Sequence, residues 1–332
     1  MNVLLLTAHS IAEYDDLRML TDLGYETFSI GAYSNPQAPG DNKRPALPNA
    51  PYFQDLAGAT ADQMAAKANL PDAVLDWADT VIVHHYPESW IGGQWHRIKG
   101  KRVIWRTCGQ SNPVLERHMA QFVREGLQVV RYSPKEKDFF ESRDGFAGQD
   151  AVIRFGKYPS DFPVYRGRNH SGFVTNVTQH MVQRAQFCGL SWYLAATEGL
   201  TAAPAGPGSE ALPGGVGELE TWSMYQHLAK AAAYVYTGTL PASYTLGLIE
   251  AIMVGVPVVS IGPNAWSHSA AGLFEGHDFS HAWSDDPAGA RRALQHLLDG
   301  TIDARRASEN QDIFIEEFSI ERIGPQWKEF LG

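Results

Sequence analysis

The chain has 332 residues, 44% of them hydrophobic, enough to fill two cores of ordinary size. Its net charge of −10 gives no global attraction for polyphosphate, so any nucleic-acid contact would need a local basic patch. Two cysteines, Cys108 and Cys188, exclude a disulfide framework and a cysteine-rich zinc site and suit a reducing compartment.

The opening MNVLLLTAHS lacks a basic n-region and reads as a buried strand over 2–7, not as a signal peptide. No stretch approaches the ~20 apolar residues of a membrane helix, so a cytoplasmic location is expected. Leu17, Leu20 and Leu23 recur at helical spacing before Gly24, and YETFSIGAY supplies a second strand. Residues 35–51, rich in Pro, Asn and Gly and carrying Lys43 and Arg44, read as a loop, and 61–77 as one or two helices.

DTVIVHHYP is the next strand, closed by His84, His85 and Tyr86. KRVIWRTCGQS follows, with Arg106, Thr107, Cys108, Gly109 and Gln110 at its exit. A helix over 114–124 precedes LQVVRYSPKEKDFF, a strand, a turn and a helix start. This alternation predicts a parallel sheet whose strand exits converge on one rim, where open α/β sheets bind ligands. His9, Asp15, Asp16, His85, Arg106 and Gln110 are the rim candidates. Adjacent on a strand, His84 and His85 point apart and make a poor metal pair. Nothing in the sequence fixes a base beside Cys108, so no covalent role is expected of it.

The Gly- and Pro-rich end of DAVIRFGKYPSDFPVYRGRN reads as a linker. Beyond it come a strand (GFVTNV), a helix (TQHMVQRAQFCG), a strand (SWYLAA), a Gly/Pro-rich loop over 197–217 and a helix (ETWSMYQHLAKA). AAAYVY is then a buried strand, TGTLPAS a tight loop, 244–254 an apolar helix ended by Gly255, and PVVSIG a further strand. A His- and Gly-containing loop, a helix over 287–298 and a terminal FSIERIGPQWKEFL helix complete the chain. A helix that starts beyond a parallel strand presents unpaired N–H groups and the positive end of its dipole, which makes an anion site. Glu250 lies further along that helix, where a carboxylate in an apolar segment needs a partner. GGVGELE lacks the preceding strand of a dinucleotide fingerprint, and no G-x-x-x-x-G-K-[ST], H-E-x-x-H or G-x-S-x-G occurs.

The segment 246–259, LGLIEAIMVGVPVV, resembles the second half of the donor-binding motif of GT-B glycosyltransferases, especially the retaining family 4. The resemblance implies an α/β fold of two Rossmann-like domains whose parallel sheets face a central cleft. It implies an acceptor-side domain over 1–165, a nucleotide-sugar domain over 166–315 and a helix over 316–332 that crosses back. Glu250 falls on the motif's second glutamate, which holds the nucleotide ribose, while Ala242 replaces the first, which holds sugar hydroxyls. Ser243, Tyr244, Thr245 and Leu246 would offer backbone N–H groups to the distal phosphate, and Arg184 would supply a cation. Asn176 to Gln179 replace the family's usual Gly-Arg. Thr107-Cys108-Gly109 matches a Thr-x-His-Gly segment whose histidine lies near the donor sugar, with Cys108 in the histidine's place.

The activity implied is retaining, metal-independent transfer of a hexose or pentose from a UDP- or GDP-sugar to an acceptor hydroxyl on a glycan or small molecule. Phage-encoded relatives glycosylate hydroxymethylated bases in DNA, and Lys43-Arg44, Lys101-Arg102, Arg106 and Arg166-Arg168 would line such a groove if they shared a face. Ala242 and Cys108 also suit a non-catalytic nucleotide-binding protein. A sugar-nucleotide epimerase would need cleft acids and histidines that the sequence does not place.

Overall fold

The computed structural model describes residues 1–7, 9–29, 70–165, 167, 172–263, 274, 277 and 280–332. The loop over 35–51 with Lys43 and Arg44, the cations Arg166 and Arg168, and most of the loop after Gly262 lie outside the described residues. The chain divides into two compact units, Met1–Lys157 with Ile320–Gly332, and Tyr158–Ser319. The change of unit comes ahead of position 165, because Ile320 N donates to Lys157 O at 2.8 Å and the chain leaves and re-enters the first unit at one point.

In the first unit six strands form a parallel sheet: β1 (Asn2–Leu6), β2 (Glu26–Ser29), β3 (Thr80–Val83), β4 (Arg102–Arg106), β5 (Gln128–Arg131) and β6 (Ala151–Val152). Their order is β2-β1-β3-β4-β5-β6, so the order reverses between β1 and β3. Both faces are covered, which is why the strands read as apolar runs and not as alternations. On one face α1 (Ser10–Asp22) and the terminal helix (Ile320–Leu331) enclose Leu5, Leu17, Ile82, Ile104, Ile323 and Trp327. On the other, α2 (Asp72–Trp77), a π-type turn (Glu88–Gly92), α3 (Trp95–Ile98) and α4 (Pro113–Arg124) enclose Val81, Trp90, Trp105 and Met119. Asn112 caps α4 by accepting from Val114 N and Leu115 N, with Pro113 pre-set at the first helical position. A short α5 (Lys135–Glu141) follows β5.

The second unit has a four-stranded parallel sheet, β10-β9-β8-β7, from β7 (Val174–Thr175), β8 (Ala233–Tyr236), β9 (Val258–Ile261) and β10 (Ala282–Ser284). Beyond β7, single parallel bridges from Val174 to Ala202, Val177 to Ala205 and Ala205 to Gly217 continue the pairing. The chain therefore runs outward from β7 and returns to β8 on its other side, so the order switches between β7 and β8.

SWYLAA, expected as a strand, is helical. After a short α6 (Ala185–Cys188), Gly189 at φ 65° starts α7 (Leu190–Thr197), in which Tyr193 and Ala196 are buried one turn apart and Thr197 Oγ1 donates to Tyr193 O. The long helix expected over 178–189 is mostly turn, and His180 at φ 50° breaks it. α8 (Thr221–Lys230) leads to β8, and α9 (Leu246–Val254) to β9. α9 is buried over seven consecutive residues, Leu248 to Val254, as the central helix of its unit. α10 (Pro287–Asp299), α11 (Ala304–Glu309) and α12 (Asp312–Phe318) complete the unit. No described helix is long and apolar enough to cross a membrane.

Candidate functional site

In the first unit the rim at the β1/β3 reversal is built by the residues that follow the strands. Thr7 Oγ1 after β1 lies 3.2 Å from His85 Nδ1 after β3, and His85 Nε2 lies 3.6 Å from Cys108 Sγ after β4. Cys108 Sγ also donates to His84 O at 3.6 Å, and His9 N to Thr7 Oγ1 at 3.3 Å. The rings of His9 and His85 are 6.3 Å apart and nearly parallel. A pocket of about 130 Å³ opens here, its walls including His85, Trp105, Thr107, Cys108, Gln110 and Ser111.

Sequence spacing left Cys108 without a fixed base; the sheet order puts the His85 imidazole beside it. The pair is nonetheless not an activated nucleophile. Burial, reinforced by the charges of His84 and His9, pushes His85 down to about 3, and burial with Glu136 nearby pushes the Cys108 thiol up to about 12. Both are neutral at neutral pH, the opposite of a thiolate–imidazolium couple.

Two of the expected rim candidates are held elsewhere. Arg106 is fully buried under the rings of Phe155 and Trp327 and donates to Ile153 O and Arg154 O. Asp15 pairs with Lys157 Nζ at 2.6 Å, with both side chains buried. Asp16 Oδ2 lies 3.1 Å from His84 Nε2. His84 and His85 do take different partners, but their rings lie only 6.3 Å apart. Among the described residues no three His, Cys, Asp or Glu side chains gather as a metal site requires. The other described cations expected near a DNA groove in this unit are also engaged: Arg102 donates to Leu331 O and Gln128, and Lys101 to Ala78 O.

In the second unit the strand order switches between β7 and β8, the place where open α/β sheets form a binding crevice. Asn176 Nδ2 donates to Val235 O at 2.8 Å and fixes the β7 exit, and Thr237 Oγ1 donates to Cys188 O at 2.7 Å below the loop that follows β8. α9 begins at Leu246, later than the expected 244, with Thr245 as its cap accepting from Leu248 N. Leu246 and Gly247 therefore supply the first-turn N–H groups that the helix cannot satisfy itself. Ser243 and Tyr244 are buried ahead of it, Tyr244 against Phe318. One turn into α9, Glu250 is 2% exposed and accepts from Tyr225 Oη at 3.3 Å. Arg184 is exposed and donates to Gln179 O at 3.3 Å, on the turn that follows β7.

Gly247 escaped the sequence reading. A Cβ there would sit 2.7 Å from Val177 O and 3.1 Å from Tyr234 Oη, so only glycine lets the helix start approach the β7 exit. Gly247→Ala is expected to cost about 1 to 3 kcal/mol despite alanine's better helix propensity. Urea unfolding of the variant measures it, and a midpoint at or above that of the unaltered chain would contradict the close approach.

No family model and no curated protein sequence matches the chain. Solved structures do. The chain superposes over 100% of its length on sucrose-phosphate synthase from Thermosynechococcus elongatus, covering 98% of that chain, with TM-score 0.69 and 13% identity. It superposes over 100% of its length on HepE from Anabaena in complex with UDP and glucose, covering 99% of that chain, with TM-score 0.66 and 12% identity. An alpha-glucosyltransferase in complex with UDP matches over 100% of this chain and 99% of that one, with TM-score 0.62 and 10% identity. The fold is that of the GT-B glycosyltransferases, α/β with two parallel sheets.

Proposed function

We propose that the chain is a glycosyltransferase that moves a sugar from a nucleotide-sugar donor to an acceptor hydroxyl. The observation that carries this is the second unit's crevice: the α9 N-terminus stands at the β7/β8 switch point with Glu250 buried one turn behind it. An anionic diphosphate suits the first-turn N–H groups and Arg184, and a ribose diol suits a carboxylate. UDP is the favoured carrier, because HepE and the alpha-glucosyltransferase of the same fold were solved with UDP.

In this reading the leaving diphosphate gains negative charge as the glycosidic bond breaks, and the α9 dipole with Arg184 stabilises it where it develops. Family 4 resemblance supports retention of configuration, with the donor phosphate itself assisting deprotonation of the acceptor hydroxyl and no metal involved. Neutral His85 and neutral Cys108 fit a polar, uncharged acceptor side.

A thermal-shift screen against nucleoside diphosphates and their sugars tests the reading, since a ligand that binds only the folded chain raises its melting temperature. UDP is expected to raise it, and Glu250→Ala to weaken UDP binding by about 1.5 to 3 kcal/mol, the value of a hydrogen bond to a charged group. UDP affinity unchanged in that variant would remove Glu250 from the site. Nucleotide binding without turnover over a broad acceptor screen would instead favour a non-catalytic binding protein.

A further inference from the structure

The first unit's pocket has a chemistry that narrows the acceptor. Its size, about 130 Å³, is close to the roughly 150 Å³ cavity that takes a benzene ring, and it opens to solvent, so it suits no more than one sugar ring. Among the described residues no Lys or Arg lines it. Arg131, close behind it, is engaged by Glu116 and Gly148 O, and Glu88 at the rim adds a negative charge. A phosphate or a nucleic-acid backbone would meet the Glu88 charge here and, among the described lining residues, no cation to pair with.

The polar groups that do line the pocket alternate donors with acceptors. A backbone carbonyl can only accept, so in its bond to His84 O the Cys108 thiol is the donor, and its sulfur is left to accept. With the thiol proton directed at His84 O, His85 carries its own proton on Nε2 and its Nδ1 accepts from the Thr7 hydroxyl. The acceptor facing that N–H is a sulfur, which binds it weakly, and a hydroxyl oxygen would serve better. Ser111 Oγ donates to Glu116 Oε1 at 2.6 Å and so keeps its lone pairs for a ligand, Gln110 offers both an amide N–H and a carbonyl, and Glu88 accepts.

Tyr86 stands at the rim, 47% exposed, with φ 52°. A bulky side chain in the left-handed region costs about 1 to 3 kcal/mol, and such strain clusters at ligand sites. Its ring offers a negative face to the apolar C–H side of a sugar.

We propose that this pocket binds one uncharged sugar ring of the acceptor, its hydroxyls shared among His85, Gln110, Ser111 and Glu88 and its C–H face laid against Tyr86. The assignment to the acceptor rests on the transferase reading above; the binding of a neutral glycoside does not. His85 is held neutral by burial, so binding is independent of imidazole ionisation.

The test titrates the intact chain with methyl α-glucopyranoside, methyl α-galactopyranoside and methyl α-mannopyranoside, followed by saturation-transfer NMR and by the ring ¹⁵N signals of His85. Glucose 6-phosphate and a short oligonucleotide carrying hydroxymethylcytosine serve as charged probes, and UDP binding is followed separately by thermal shift. At least one methyl glycoside is expected to saturate and to move the His85 Nε2 signal. Tyr86→Gly is expected to weaken it about tenfold without lowering the melting temperature, because glycine accepts the positive φ. His85→Leu should weaken it similarly, and His85→Gln, which keeps an N–H donor, should restore part of the loss.

Failure of all three glycosides to saturate overturns the proposal, as does Tyr86→Gly binding like the unaltered chain, or preference for either charged probe. A chain that shifts with UDP but binds no glycoside loses this pocket assignment alone. One that binds a glycoside through Tyr86 but no nucleotide keeps the pocket and loses the transferase reading.

Discussion

Replacing Arg131 by Met is expected to lower the unfolding free energy of the first unit by about 3 to 5 kcal/mol, the cost of leaving a buried charge without its partner. Arg131 on β5 and Glu116 on α4 are both fully buried and joined by two bonds of 2.7 Å. The guanidinium also donates to Gly148 O and lies over the rings of Trp105 and Phe146. Glu116 further accepts from Ser111 Oγ and from Ala147 N. Take the arginine away and the carboxylate keeps two neutral donors and no counter-charge. The double variant Glu116→Leu with Arg131→Met should recover most of the loss, because two apolar groups of similar volume carry no desolvation penalty. Urea unfolding of the unaltered chain and both variants decides it. A double variant as unstable as the single one would show that lost packing, not the stranded charge, sets the cost. Ser111 lines the pocket, so the single variant should also loosen that wall.

The main strands were legible because a parallel sheet covered on both faces turns each strand into an apolar run, as in Leu4 to Leu6 and Val81 to Val83. The same rule misled at Ser191 to Ala196, where an apolar run of strand length is a buried helix; periodicity cannot separate the two at that length. β6 and β7 have two residues each and β10 three, too short for any pattern. Arg106 sits in a strand-exit sequence that reads as exposed, yet a guanidinium can be buried wherever carbonyls and aromatic faces receive it, and nothing local announces those. The meeting of His85 with Cys108 depends on β3 lying beside β4, which alternation allows but does not dictate. Tyr86 carried no signal, because a left-handed tyrosine is not written in composition. Gly247 did carry one, a glycine in the first turn of an apolar helix, whose meaning appears only with Val177 O beside it.

Between about pH 6 and 8 the first unit is expected to lose stability as pH rises, and Glu136→Gln to reverse that trend. Burial, the largest cause, raises Glu136 from 4.5 to about 7 against the opposing pull of Arg131, the Thr107 hydroxyl and Arg106, with Glu116 adding to the rise. The folded chain therefore holds a proton on Glu136 between those two values that the unfolded chain has released. Its stabilising contribution is full below pH 4.5 and is lost as pH climbs through about 7, a total of about 3 kcal/mol. His85 acts in the other direction: lowered from 6.5 to about 3, it stays neutral in the fold while the unfolded chain takes up a proton, so stability falls as pH drops through that window. The two together place the stability maximum on the acid side of neutral. Glutamine keeps the size and an amide in place of the carboxyl, so urea midpoints of Glu136→Gln should rise from about pH 6 to 8, as His85 alone dictates, while those of the unaltered chain decline. A variant that falls below the unaltered chain equally at both ends would mean that Glu136 is ionised in the fold throughout. The consequence reaches the pocket, because Thr107 Oγ1 donates to Glu136 Oε2 at 2.6 Å and is the residue before Cys108. Ionising Glu136 fixes the Thr107 proton toward the carboxylate; protonating it frees that hydroxyl to turn to Val130 O, the other acceptor in reach.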